Sequence, residues 1–202
     1  MSKLVKVGVL ALQGDFLEHM QMLKEVLNVD TVLVKCLNDL KGIDALIIPG
    51  GESTTIGRLI RFRGLDEGII GFANEGKPII GTCAGAVLLA NKVLDRVVGE
   101  INQPVLGLMN ITVVRNIFGR QKNSFITKVY VEGIGDVNAV FIRAPGIIEA
   151  HRPARIISYL EYPVIGKVGA VAVQGSLLAV TFHPEISSEK KLYEYFLSMV
   201  RT

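Results

Sequence analysis

Lys77–Gly85 reads KPIIGTCAG, and the rest of the chain is arranged around it. Pro78–Ile80 is a short apolar run that predicts the end of a buried strand. Gly81-Thr82-Cys83-Ala84-Gly85 follows directly, and Ala86–Ala90 then predicts helix. This is the G-x-nucleophile-x-G elbow, with cysteine where serine is usual. A side chain on so tight a strand-to-helix turn sits on strained backbone, and its neighbours must be nearly bare for the turn to close. The sulfur is thereby held out at the mouth of a sheet, at a helix N-terminus that favours thiolate over thiol. Taken alone, a buried cysteine in a glycine-rich strand end explains the stretch equally well.

Upstream, strands and helices alternate. Leu4–Leu12 predicts a strand covered on both faces, being nearly continuous in Val and Leu. Gln13-Gly14-Asp15 predicts a turn with Asp15 as N-cap, and Phe16, Met20, Leu23 and Leu27 recur at helical spacing. Thr31–Cys36 and Ile43–Ile48 predict strands. Pro49-Gly50-Gly51 breaks the second, Ser53 caps a helix through Leu59 and Ile60, and Leu65–Asn74 is helical. Such alternation indicates an α/β fold, a parallel sheet flanked by helices. Downstream the pattern turns antiparallel. Gly107–Val114, Phe125–Val131 and Ala139–Arg143 predict strands, and Val168–Gln174 and Leu177–Phe182 a hairpin around Gly175-Ser176. A closing helix over 188–200 carries the stripe Leu192, Tyr195, Phe196 and Met199.

With 202 residues, half of them hydrophobic, the chain is long enough for one large domain spanning 1–202. A net charge of +3 with scattered basic residues does not indicate nucleic acid. Two cysteines make no disulfide framework, and neither a signal segment nor a membrane-length apolar run is evident, so a cytoplasmic protein is expected. No Cys/His spacing suggests a metal, and no cofactor is expected.

Three strand ends carry reactive or unusual residues, where open α/β sheets build their sites. Cys83 ends one, Pro49-Gly50-Gly51-Glu52 a second, and His183-Pro184-Glu185 the last. Pro184 stops the ladder because it has no N–H. A cysteine nucleophile needs a base for its proton, and the base needs a carboxylate to fix its tautomer; Cys83, His183 and Glu185 supply the three parts. An attacked carbonyl becomes an oxyanion that needs backbone donors. The N–H groups of Gly51 and Ala84 are the expected pair, each such donor being worth roughly 3–4 kcal/mol of barrier. A Pro-Gly turn without chemistry is the simpler account of Gly50-Gly51 alone, and the G-K-[ST] of a P-loop is absent.

PGGES, GTCAG and HPE in this order resemble the class I (triad-type) glutamine amidotransferases. GGESTT, RN…FGRQ at Arg115–Gln121, FIRAP at Phe141–Pro145 and LQGDF–EH near the N-terminus are similar to the glutaminase subunits of pyridoxal 5′-phosphate synthases, from about Val5 to the C-terminus. The resemblance implies a three-layer, flavodoxin-like fold: a central mostly parallel sheet with antiparallel additions and helices on both faces. It implies hydrolysis of L-glutamine to glutamate and ammonia. Cys83 would form the γ-glutamyl thioester, His183 act as base and then acid, and Glu185 orient it. Gly50, Gly51 and Glu52 would line the glutamine site, with Arg115, Ile142 and Arg143 holding substrate. A guanidinium suits the α-carboxylate, and Glu52 is a candidate for the α-amino group. The ammonia would pass to a (β/α)₈ synthase subunit, twelve glutaminases decorating a dodecameric core, with Gln13–His19 at the contact. No membrane partner is implied.

Two other readings remain open on the sequence. One is a glutaminase serving another synthase, such as that for imidazole glycerol phosphate, against which FGRQ and FIRAP argue. The other is a non-enzymatic cysteine sensor or chaperone-like α/β protein, which needs no HPE segment. Gly57 and Gly146–Arg155 depart from the family pattern. His151 and His19 are expected to be non-catalytic, His19 at a surface or partner contact, and Cys36 a buried small hydrophobe in a strand.

Overall fold

Strand β3 (Ala45–Ile48) shows how the sheet is covered. Leu46 and Ile48 enter one apolar cluster, Ala45 and Ile47 another, and all four are fully buried. Successive side chains of a strand point to opposite faces, so a strand that is apolar throughout requires cover on both. The computed structural model describes residues 4–25, 29–119, 123–163 and 165–200; Leu27, Arg120 and Gln121 lie outside the described residues.

Strands β1 (Val5–Leu10), β2 (Val29–Val34), β3, β4 (Ile79–Thr82) and β13 (Leu177–Val180) lie in the order β2-β1-β3-β4-β13, all parallel. The sheet continues through β12 (Gly166–Gln174), β10 (Gly146–Ala150), β7 (Met109–Arg115), β5 (Ala90–Asp95) and β6 (Gly99–Glu100), where only the β5–β7 pair is parallel. Strands β8 (Phe125–Val131), β9 (Gly135–Phe141) and β11 (Arg155–Tyr162) form an antiparallel branch off β12. Helices α2 (Ser53–Phe62), α3 (Asp66–Asn74) and α4 (Ala84–Leu89) supply one apolar cluster; α1 (Phe16–Lys24) and α5 (Lys190–Ser198) supply the other, together with the β8–β9 hairpin. The fold is a three-layer α/β sandwich with a parallel centre and antiparallel additions.

Several local expectations are corrected. Cys36 is exposed: it precedes a 3₁₀ turn, Leu37–Leu40, and its thiol donates to Asp39 Oδ2 at 3.3 Å. Ser53 does not cap α2. Glu52 does, accepting from the N–H groups of Thr54 and Thr55. Asp15 precedes α1 but makes no capping bond, because its carboxylate is turned towards His183. On α5 the fully buried residues are Leu192, Tyr193 and Phe196; Tyr195 and Met199 are only partly covered. Helix α4 ends at Leu89, and the chain goes straight into β5, which the apolar run AVLLA did not distinguish from helix.

Gly57, the departure inside α2, has a steric cause. A Cβ there would lie 2.4 Å from the Pro104 carbonyl oxygen and 3.2 Å from Leu88. Alanine gains about 1 kcal/mol of helix propensity over glycine, but forcing helix and loop apart costs about 1–3 kcal/mol. Gly57→Ala is therefore expected to lower stability. A guanidinium unfolding midpoint equal to or above the parent's would show that the loop yields freely.

Candidate active site

The parallel pairing of β4 with β13 puts Thr82 opposite Val180, and the Cys83 N–H donates to the Val180 carbonyl at 2.8 Å. The two strands therefore end together, and residues just beyond them, Cys83 and His183, face one cleft. Cys83 has φ +46° and ψ −102°, a region L-residues rarely occupy. Gly81 and Gly85 make the turn possible: a Cβ on Gly81 would lie 2.5 Å from Gly85 backbone, and one on Gly85 would lie 2.1 Å from the Ile48 carbonyl oxygen. Helix α4 has only six residues, so its dipole is a small contribution.

His183 is held from behind. Its N–H donates to the Val140 carbonyl at 2.9 Å, tying the HPE segment to β9, and Phe182 packs on Phe141 with ring centroids 5.5 Å apart. Nδ1 lies 2.5 Å from Glu185 Oε1 and 3.0 Å from Asp15 Oδ2. Burial by itself would lower the His183 pKa. Hydrogen bonds to Asp15, Cys83 and Glu185 outweigh it and push the pKa up to about 12. Glu185 is buried beneath the ring, and burial pushes its carboxyl up to about 7 although His183 pulls the other way. Asp15 stays below the usual carboxylate range: burial raises it, but its bonds and charge interaction with His183 prevail.

The cleft has a volume of about 460 Å³ and is lined by Gly51, Glu52, Cys83, Ala84, Arg115, Ile142, Arg143 and His183, among others. Gly50 is not part of the lining. It sits behind, where a Cβ would come within 2.7 Å of both Asp15 Oδ2 and His183 Cε1. Gly14, at φ +100°, presses on the same loop, a Cβ there falling 1.8 Å from the Gly50 oxygen, and Gln13 Oε1 accepts the Glu52 N–H at 2.9 Å. Glu52 is already engaged: beyond capping α2 it pairs with Arg115 at 3.3 Å. An α-amino group would have to share it. Arg115 also donates to Gln103 Oε1 at 2.6 Å and Thr54 Oγ1 at 3.0 Å. Arg143, at φ +45°, reaches the cleft with no hydrogen-bond or ion-pair partner among the described residues.

Sequence reasoning missed Asp15, His19 and Gln103. The signal for the first two was the D–EH spacing of the N-terminal stretch; Gln103 lies in an irregular segment with no motif. His19 is wholly buried, contrary to expectation. Its Nδ1 lies 2.7 Å from the Tyr193 hydroxyl and its Nε2 lies 3.0 Å from Thr82 Oγ1.

A family model described as the SNO glutamine amidotransferase family matches residues 9–202. A protein of Hyperthermus butylicus named pyridoxal 5′-phosphate synthase subunit PdxT is 52% identical over 98% of both chains. One of the same name from Aeropyrum pernix is 48% identical over 98% of this chain and all of its own. A solved glutamine amidotransferase is 42% identical, covers 96% of this chain and 98% of its own, and superposes with a TM-score of 0.86. PurLQS of Thermotoga maritima, at 16% identity and TM-score 0.70 over 97% of this chain and 99% of that one, shares the fold.

Burial pushes the His19 pKa down to about 4. The unfolded chain binds a proton near 6.5 that the folded chain refuses until about 4, so this group subtracts stability as pH falls through that window. Glu185 acts in the opposite sense, its contribution fading as pH rises from 4.5 towards 7. Comparing His19→Asn with the parent isolates the first effect. The parent-minus-variant unfolding free energy is expected to rise from pH 4 to about 6.5 and then level off. A flat difference across that window would contradict neutral burial.

Proposed function

The chain belongs to the SNO glutamine amidotransferase family, and on that premise we propose that Cys83, His183 and Glu185 hydrolyse the side-chain amide of L-glutamine. It is the glutaminase subunit of a pyridoxal 5′-phosphate synthase, and it works with a synthase subunit. The whole chain, 1–202, is read as one glutamine amidotransferase domain. Relatives bearing the pyridoxal 5′-phosphate synthase name over the full length favour this reading over an imidazole glycerol phosphate partner or a sensor without activity.

One observation carries the mechanism: a positive-φ Cys83 at a strand end interacting with His183, whose Nδ1 meets a buried Glu185. The Cys83 thiolate attacks the amide carbon, and the oxyanion is received by the N–H groups of Gly51 and Ala84, both at the cleft wall. As the C–N bond breaks, His183 gives its Nε2 proton to the departing nitrogen, leaving a γ-glutamyl thioester and ammonia. His183 then takes a proton from water as the water attacks the thioester, and glutamate leaves with the thiolate restored. Arg143, the guanidinium with unspent donors, suits the α-carboxylate, with Ile142 against the stem; Arg115 and Glu52, paired to each other, form the polar end.

Ammonia in water near neutral pH is mostly protonated, so it is best delivered through a shielded path to the synthase subunit, twelve of each chain forming the assembly in a cytoplasmic setting. Among the described residues no helix is long and apolar enough to cross a membrane. Of the segment Gln13–His19 assigned to the contact, Leu17 and Glu18 are exposed and His19 is not.

Cys83→Ala is expected to cost at least about 10⁴-fold in ammonia release from glutamine with the synthase subunit present, with the circular dichroism spectrum unchanged. Retained turnover would overturn the mechanism. A glutamine-like diazo-ketone should label Cys83 and spare the exposed Cys36. Leu17→Asp is expected to weaken co-sedimentation with the synthase subunit by roughly tenfold or more; unaltered docking would move the contact elsewhere.

A further inference from the structure

At the edge of the cleft lies a second carboxylate for which the triad has no use. Asp15 reaches His183 Nδ1 at 3.0 Å, the same nitrogen that Glu185 engages, and its side chain is about four-fifths buried. One Nδ1–H thus meets two acidic acceptors. Their remaining oxygens, Asp15 Oδ1 and Glu185 Oε2, are buried without a hydrogen-bond partner. Both turn to the same atom, Nε2 of His19, at 3.9 and 3.5 Å. With two acidic oxygens and the Thr82 hydroxyl around Nε2, the neutral ring is best satisfied carrying its proton there, Tyr193 O–H donating to Nδ1.

We propose that Asp15 is a positioning residue for His183, a fourth member of the site that carries the counter-charge of the imidazolium while Glu185 shares the Nδ1 proton, with His19 as the neutral floor that holds both carboxylates in place. The proposal rests on the glutaminase reading of the cleft. Two carboxylates this close to one imidazole do not both ionise cheaply. The structure separates them by solvent contact: Asp15 borders the cleft and Glu185 does not. The directions of their acidities agree, Asp15 lowered and Glu185 raised by its burial and by the charge of Asp15. Ligand-type atoms of Asp15, His19 and Glu185 lie within 4.8 Å of one another, as in a cation site, and the positive charge facing the two carboxylates is the His183 ring.

The geometry also explains the bare neighbours. A side chain on Gly50 would displace both Asp15 Oδ2 and the His183 ring, each at 2.7 Å from its Cβ. Among the described residues, the titratable groups facing His183 are Cys83 from the elbow, Asp15 and His19 from the start of α1 and Glu185 from its own segment, with Tyr193 of α5 behind His19. Arg115, Glu52 and Arg143 line the same cleft.

The test is Asp15→Asn in complex with the synthase subunit. The alkylation rate of Cys83 by iodoacetamide, followed on its peptide by mass spectrometry, reports the thiolate against pH without any glutamine. Removing the counter-charge is expected to raise the thiolate midpoint by about one pH unit. It should lower kcat for glutamine by roughly tenfold or more with KM within about twofold, and shift the basic limb of the kcat profile downward as the imidazolium weakens. A merely structural Asp15 would lower melting temperature and amplitude but leave the midpoint and limb in place, and that result overturns the proposal. Because alkylation needs no turnover, it fails separately from the glutaminase reading, which falls with active Cys83→Ala. If the variant does not fold, carbonyl-carbon NMR of the parent decides. Asp15 is expected to titrate below the ordinary carboxylate range while Glu185 titrates near 7; the reverse order overturns the assignment.

Discussion

The parallel pairing of β4 with β13 is the constraint on which the site depends. Residues 83 and 183 are a hundred positions apart, and neither could find the other by local structure. The register that sets Thr82 against Val180, closed by the Cys83 N–H on the Val180 carbonyl, makes the two chain reversals coincide. Loop closure over such a distance costs entropy that only a well-buried sheet can offset. Both strands are fully buried, and alternate side chains enter separate apolar clusters on the two faces.

The antiparallel branch has a clear physical task. Strands β8 and β9 extend no further parallel layer; paired to β8, β9 grips the HPE segment beyond the end of β13. Val140 accepts the His183 N–H, Phe141 meets Phe182, and the Asn138 N–H donates to Glu189, four residues past Glu185. A proline-interrupted segment outside the ladder would otherwise lack partners for its backbone. Arg143, at positive φ, follows two residues after the end of β9.

How much of the molecule is legible in the sequence depends on the range of each signal. The elbow, the PGG turn and HPE are legible because glycine and proline mark backbone constraints within a few residues. The parallel half of the sheet is legible because its strands are apolar runs separated by helical spacing. The passage from α4 into β5 is not, since AVLLA suits buried helix and buried strand alike. Cys36 looks internal because it follows an apolar run and precedes Leu37, yet the strand ends two residues early, at Val34, and Asp39 takes its thiol outward. Asp15 is the instructive miss. Its type and place before a helix fit a cap, and the D–EH spacing beside it marks a special stretch without showing that His183, far along the chain, takes the same carboxylate. Ser53 misleads in the same way, because the longer Glu52 reaches the same N–H groups first.

The shared register also sets where the gene can tolerate changes of length. Between Cys83 and Leu177 the chain wanders through eight further strands and several loops, and added residues there can be absorbed at a surface turn. Between Leu177 and His183 nothing can be added or removed. One extra residue inside β13 would slip its register against β4, turn the later strand side chains to the opposite face and move the point from which the chain departs towards His183. Insertions and deletions should therefore be abundant in the long intervening stretch and absent from the short run joining Leu177 to His183, a pattern readable from gene comparisons without any assay.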